Sequence, residues 1–283
     1  MSDYAPLWTR DAYQRTNRHA EVLLVCFSAG PLTEGPRLDA RRFGVPSQKS
    51  VEMLDIRRQE RTAEAAIFDG WREEPLRTIA ARDLGDDLAL LDAADQCHLI
   101  RASLPDQPDL GYVQAAWAVA RWMCLRGATV VFDGHAVRFH TGEKIMAQPA
   151  DAPLDIKREV GFVFEPDVDV GADGHFVHTR GMIKLARPDV VAVCGVEDVD
   201  LVVEIMRELA AGMARGLMPE ATRHGVELSQ GLSLYLGDPR PGLGVARLHL
   251  NNDATLLSLA GGEHLIGVMQ LLRESMRPPP GPA

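Results

Sequence analysis

Cysteine is scarce in this chain and never paired: Cys26, Cys97, Cys124 and Cys194 lie far apart, with no CxxC among them. That spacing excludes the common zinc-ribbon and dithiol motifs. Each cysteine sits in an apolar stretch, where the residue acts as a small hydrophobe. Positive charge is also short. The 30 Lys and Arg stand against 40 Asp and Glu, for a net charge of −10 and a pI of about 5.4. A generic phosphate-backbone binder needs a basic face, so nucleic acid is not an expected partner. Long apolar runs are missing too. AAWAVARWMCL is broken by Arg121 and falls short of a span, so no membrane association is expected. MSDYAPLWTRDAYQRTNRHA has no apolar core of signal-peptide length, and a cytoplasmic protein in a reducing compartment is the expectation.

What is present is soluble globular composition, 46% hydrophobic and 25% charged, over 283 residues, enough for one large or two ordinary domains. Residues 1–20 read as a polar, partly helical leader. EVLLVCFS (Glu21–Ser28) and CHLIRASLP (Cys97–Pro105) are apolar runs bounded by turn residues and read as buried strands. Between them, residues 49–70 carry a helical pattern that places Arg57, Arg58 and Arg61 among acids on a solvated face, with MLDI a competing short strand. TIAARDLGDDLALLDAAD has helical composition with a break near Gly85. Asp109 is placed to cap a helix whose apolar stripe runs through Tyr112, Ala115, Ala116, Val119 and Trp122–Met123, with Gly127 ending it. ATVVFDGHAVRFH then reads as a hairpin turning at Asp133-Gly134.

The second half begins with the strand EVGFVFEP and a turn at Asp173-Gly174. The long run GHFVHTRGMIKLARPDVVAVCG follows, divided near Arg187-Pro188-Asp189 because proline cannot donate to a central ladder. Next comes an amphipathic helix with Val202, Ile205, Met206, Leu209, Met213 and Leu217 on one face. VELSQGLSLYLGD, GVARLHLNN and ATLLSLA are strand candidates, GEHLIGVMQLLRESM a closing helix, and RPPPGPA a disordered tail. The expected fold class is α+β, with mostly antiparallel sheets and single packed helices. The expected organisation is two loosely similar strand–helix–strand halves, 1–145 and 158–276, joined by a connector at 146–157 and followed by a tail at 277–283.

CHLIRASLPDQPDLGYVQAAWAVARWMCLRGATVVFDGHAVRF, with its alanine-rich helix and following glycine-to-aspartate strand, resembles a pattern in uncharacterised bacterial families described as domains of unknown function. HTRGMIKLARPDVVAVCG resembles the partner segment of the same group, in which His-Thr-x-Gly-Met precedes a short strand. The resemblance implies this architecture and supplies no site residue.

Candidate chemistry is sparse. His175 and His178 are three apart on a strand, so they point to opposite faces and are expected to leave one buried and one exposed histidine rather than a metal pair. Asp167, Asp169 and Asp173 brush against a calcium loop, but Gly171, Ala172 and His178 stand where that loop needs other residues. Cys26-Phe27-Ser28-Ala29-Gly30 lacks the first glycine and the helix of a nucleophile elbow, and GLGVAR (Gly242–Arg247) opens no helix. No cofactor and no metal are expected. His135 and His140 on the hairpin flanks join His175 and His178 as residues to inspect for a histidine–carboxylate site. Trp117 and Trp122, five apart on one helix and about 140° from each other, cannot both centre the buried stripe, and one of them is a candidate contact surface. The leading expectation is a non-catalytic protein-binding or regulatory module, immunity-like or accessory, that meets another bacterial protein with a basic surface. The alternative is a hydrolase with an unrecognised His/carboxylate site.

Overall fold

The computed structural model describes residues 4–165, 174–216, 225–229, 232–238, 253–259 and 265–267. The chain forms two compact units. One is Met1–Asp155 with Ile183–Ala186, and the other is Ile156–Met182 with Arg187–Ala283. The class is α+β, built on two mostly antiparallel open sheets.

In the first unit the order is β1 (His19–Ser28), α1 (Ala40–Phe43), α2 (Gln48–Glu52), β2 (Asp55–Glu60), α3 (Ala65–Gly70), α4 (Leu76–Leu84) and α5 (Leu88–Asp92). Then come β3 (Gln96–Pro105), α6 (Gly111–Leu125), β4 (Val130–Asp133), β5 (Arg138–Thr141) and α7 (Gly142–Ala147). The strands lie in the order β2-β3-β1-β4-β5. β1 takes the centre because its run from Leu24 to Ser28 is apolar or small on both faces, and such a strand must be covered from above and below. It pairs antiparallel with β3 along ten residues, His19↔Pro105 to Ser28↔Gln96, and with β4 from Leu24↔Asp133 to Phe27↔Val130.

Helix α6 packs on one face of this sheet and is buried on every side from Gly111 to Arg121. Only a helix enclosed all round tolerates so many apolar residues outside a single stripe. Asp109 Oδ1 accepts from Gly111 N at 2.9 Å, and Gly127 follows the helix with φ +112°. The opposite face is covered by α3, α4 and α5. There Val25, Phe27, Phe132 and Phe139 meet Phe68, Leu84 and Leu91, with Trp71 set edge-on to Phe27 and Phe132. This cover reaches only the second half of β1, and Glu21 stays exposed and Leu23 half-buried.

Three expectations need correction here. Among its described residues, 4–20, the leader forms no helix. Residues 5–10 are irregular apart from a bridge at Thr9 to Asp109, and they are pinned down: Trp8 N donates to Gln114 Oε1 at 3.1 Å and Trp8 Nε1 to Ala152 O at 2.9 Å. Arg57 and Arg58 lie on strand β2, not on a helix. Residues two apart share a face of a strand, so DIRRQE makes one ion pair on each side, Arg57–Asp55 at 2.8 Å and Arg58–Glu60 at 3.0 Å. Polar side chains on both faces suit an edge strand, and that position overrides the helical reading. The hairpin after β4 does not turn on two residues. The pair Asp133↔Arg138 leaves a four-residue loop, Gly134–Val137, with Val137 at φ +52°.

The second unit contains α8 (Ile156–Glu159), β6 (Gly161–Glu165), β7 (His175–Arg180), β8 (Asp189–Cys194), α9 (Val199–Ala214), β9 (Gly225–Ser229), β10 (Leu232–Gly237) and β11 (Ala254–Ser258). Its sheet order is β6-β7-β8-β11-β10-β9, with β11 parallel to β8 and the other neighbours antiparallel. The long apolar run is divided earlier than the proline, at Gly181 (φ +102°) and a 3-10 turn over Met182–Leu185. Asp189 Oδ1 ties that break together, accepting from Thr179 Oγ1 at 2.9 Å and Met182 N at 3.3 Å. Helix α9 buries Val202, Ile205, Met206, Leu209 and Met213 as its spacing requires. VELSQGLSLYLGD holds two strands, β9 and β10, rather than one. Of the expected closing helix, the described residues Leu265–Gly267 form instead a bridge to Cys194 and a turn. Leu217, the Asp173 turn, the GVARLHLNN strand and the tail lie outside the described residues.

The four residues Ile183–Ala186 are built into the first unit by polar contacts at full burial. Lys184 Nζ meets Asp133 Oδ2 at 2.5 Å with both side chains wholly enclosed, and the ammonium lies 6.0 Å from the centroid of the Trp117 ring. Tyr112 Oη donates to Lys184 O at 2.7 Å, and the guanidinium of Arg10 donates to Leu185 O. Removing one member of such a pair leaves a buried charge uncompensated, so Lys184→Met is expected to cost about 3–5 kcal/mol in urea unfolding. The double substitution K184M/D133N, which strands no charge, is expected to cost measurably less than K184M alone.

Candidate functional site: a mixed-charge cleft on the first sheet

Where α3–α5 leave the sheet uncovered, strand register decides what faces outward. Glu21 of β1 stands opposite Ser103 of β3, and Arg101 of β3 stands between Leu23 of β1 and Asp55 of β2. Their neighbours in sequence, Val22, Ile100 and Ala102, are buried on the α6 side. Glu21, Leu23, Asp55, Arg101 and Ser103, together with Arg57, Met53 and His135, line a cleft of about 420 Å³.

Its charges are of both signs. Arg57 is already engaged with Asp55. Arg101 and Ser103 are exposed, and their side chains have no hydrogen-bond or ion-pair partner among the described residues. A guanidinium free in a concave surface is a recogniser of carboxylate or phosphate oxygens, which it can take two at a time. Glu21, on the adjacent strand, offers the complementary acceptor for a cation.

His135 closes one side of the cleft from the loop after β4. That loop is held from below by Asp133, whose Oδ1 accepts from His135 N and Ala136 N, each at 3.1 Å, while Oδ2 carries Lys184. A Cβ at Gly134 would stand 2.7 Å from Leu23 Cδ2, so a larger residue there would have to displace the Leu23 side chain. Burial lowers the pKa of His135, the Asp133 carboxylate opposes that shift, the Lys184 ammonium adds to it, and Glu21 opposes it more weakly. The imidazole is therefore neutral near pH 7.

The other residues singled out in the sequence are dispersed. His140 of β5 is half-buried on the α6 side, with its ring 5.8 Å from and nearly perpendicular to that of Trp117. Trp117 is buried. Trp122 is half-buried, donates from Nε1 to Pro36 O at 2.9 Å, and has the Arg126 guanidinium 4.4 Å from its ring centroid. In the second unit His175 is half-buried against Phe164, whereas His178 is buried, with Nδ1 3.1 Å from Thr179 O and Nε2 3.4 Å from Glu165 Oε1. No group of three His, Cys, Asp or Glu able to hold a metal occurs among the described residues. The acidic stretch at 167–173 and GLGVAR lie outside them. Ser28 is buried and spends its hydroxyl on Gly30 O at 2.7 Å. Desolvation pushes the thiols of Cys97, Cys124 and Cys194 up to about 12 and that of Cys26 well above its usual value, so all four are protonated at neutral pH.

Sequence reasoning reached His135 and missed Glu21, Arg101, Ser103 and Asp55. The available signal was a charged or hydroxyl residue at alternate positions of an otherwise apolar strand, in Glu21-Val-Leu and in Arg101-Ala-Ser103. No protein-family model, curated protein or solved structure matches this chain. No helix among the described residues is long and apolar enough to cross a membrane.

Burial holds His98, His135 and His178 below the ordinary imidazole range. In the unfolded chain they take up protons near about pH 6.5, so below that point the unfolded state binds more protons than the folded one. Stability is thus complete above that pH and falls as the pH drops toward the folded values. The urea midpoint is expected to decrease on going from about pH 7 to about pH 5, with a shallower decrease in His178→Gln.

Proposed function

We propose that this chain is a non-catalytic protein-binding or regulatory module, of the immunity-like or accessory kind, and that the open half of the first sheet is its recognition surface. The observation that carries this reading is the pairing of an unengaged Arg101 with an exposed Glu21 on adjacent strands, over a floor that includes Leu23 and Met53. Interfaces use such alternating charge to select and orient a partner. The net charge of −10 favours a partner whose wider surface is basic, and a cytoplasmic protein of the same bacterial cell is the proposed class. Affinity capture from the native cell with the wild-type chain and with the pair E21K/R101E tests this. A partner recovered at moderate salt, weakened at high salt and absent with E21K/R101E is expected. Equal recovery by the variant removes this face from the interaction.

A second reading, a hydrolase, is favoured by one observation: Ser103, Glu21 and a neutral His135 line the same cleft. A hydroxyl, a base and a carboxylate are the residue types of acyl transfer. On this reading a broad ester and peptide panel gives turnover that Ser103→Ala and His135→Ala each lower by about 100-fold or more. Turnover no greater than that of heat-killed protein ends it.

A further inference from the structure

The recognition surface has a pattern specific enough to name what it receives, an inference that rests on the binding reading above. Glu21 and Arg101 are diagonal neighbours on antiparallel strands: Glu21 faces Ser103, and Arg101 lies two residues back along β3. Diagonal positions in a sheet are separated by about 7–8 Å. Alternate residues of an extended chain project from the same side about 6.7 Å apart. A strand-like peptide laid over this face therefore sets two side chains, i and i+2, on these two positions at once.

The charges fix what those side chains are. Neither Glu21 nor Arg101 is bonded to the other, and the Arg101 side chain has no partner among the described residues. Asp55, opposite Arg101 on β2, has one carboxylate oxygen committed to Arg57. A peptide with two basic residues would set one against Arg101, and a peptide with two acidic residues would set one against Glu21. Like charges at such range are repelled in a partly desolvated cleft. A polyanion such as single-stranded nucleic acid is opposed by Glu21 and Asp55 together. We propose that the cleft binds an extended segment of a partner protein that carries one basic and one acidic residue at alternate positions, the basic side chain on Glu21 and the acidic one on Arg101.

Fluorescence anisotropy with the full chain and labelled, end-blocked peptides tests this. The mixed peptides are Val-Lys-Val-Glu-Val and Val-Glu-Val-Lys-Val, the valines favouring an extended backbone. The controls are the Lys/Lys and Glu/Glu versions and a single-stranded oligonucleotide. At least one mixed peptide is expected to bind at least tenfold more tightly than every control. Arg101→Glu is expected to invert the preference toward the Lys/Lys peptide, and E21K toward the Glu/Glu peptide. A gain of binding of this kind cannot come from a variant that fails to fold. Equal binding of mixed and same-charge peptides, preferred binding of the oligonucleotide, or an Arg101→Glu variant that keeps the wild-type preference each overturns the proposal. If E21K/R101E still abolishes capture of the partner while the mixed peptides fail to bind, the recognition surface stands and the extended segment does not.

Discussion

The buried contact between Lys184 and Asp133 is the constraint on which the first unit's outward face depends. Two charges removed wholly from water cost several kcal/mol each unless they meet one another at close range with their remaining valences satisfied. Asp133 meets that condition with one oxygen on the lysine and the other on two backbone N–H groups. The second of these sets the loop that carries His135. A tetrapeptide from far along the chain thus becomes part of the support beneath the cleft, and Tyr112 and Arg10 hold its carbonyls in place.

The cleft exists because the sheet is covered unequally. On the α6 side the whole of β1 is buried. On the other side the short helices α3–α5 suffice for Val25, Phe27, Phe132 and Phe139 and then stop. Beyond their edge the strands continue, and their outward positions change from aromatic and aliphatic to Glu21, Ser103, Arg101 and Asp55.

Much of the framework was legible because burial imposes a period. α6 and α9 follow from apolar residues recurring every third to fourth position, β1 and β3 from apolar runs bounded by turn residues, and the break after α4 from Gly85 (φ +57°). β2 was legible only as the competing short strand MLDI, whose last two residues open it, because an edge strand has no buried face to impose alternation and DIRRQE satisfies a helical wheel equally well. The leader's conformation is hidden for a related reason. Trp8 and Arg10 are buried by partners about a hundred residues away, and local propensity carries no trace of them. The candidate site was visible in one residue, His135. Nothing local links that histidine to Glu21 or Arg101, which come near it only through the β1–β3 register and the fold of the β4–β5 loop.

By itself the sequence determined the class of the fold and the identity of its longest strands and helices, since each follows from short-range periodicity or from apolar runs already adjacent in the chain. Only the tertiary structure decided which polar side chains share a surface. Strand register, the reach of the covering helices and the return of Ile183–Ala186 to the first unit are set by long-range packing, and a one-residue slip of β3 against β1 would send Arg101 into the core instead of the cleft.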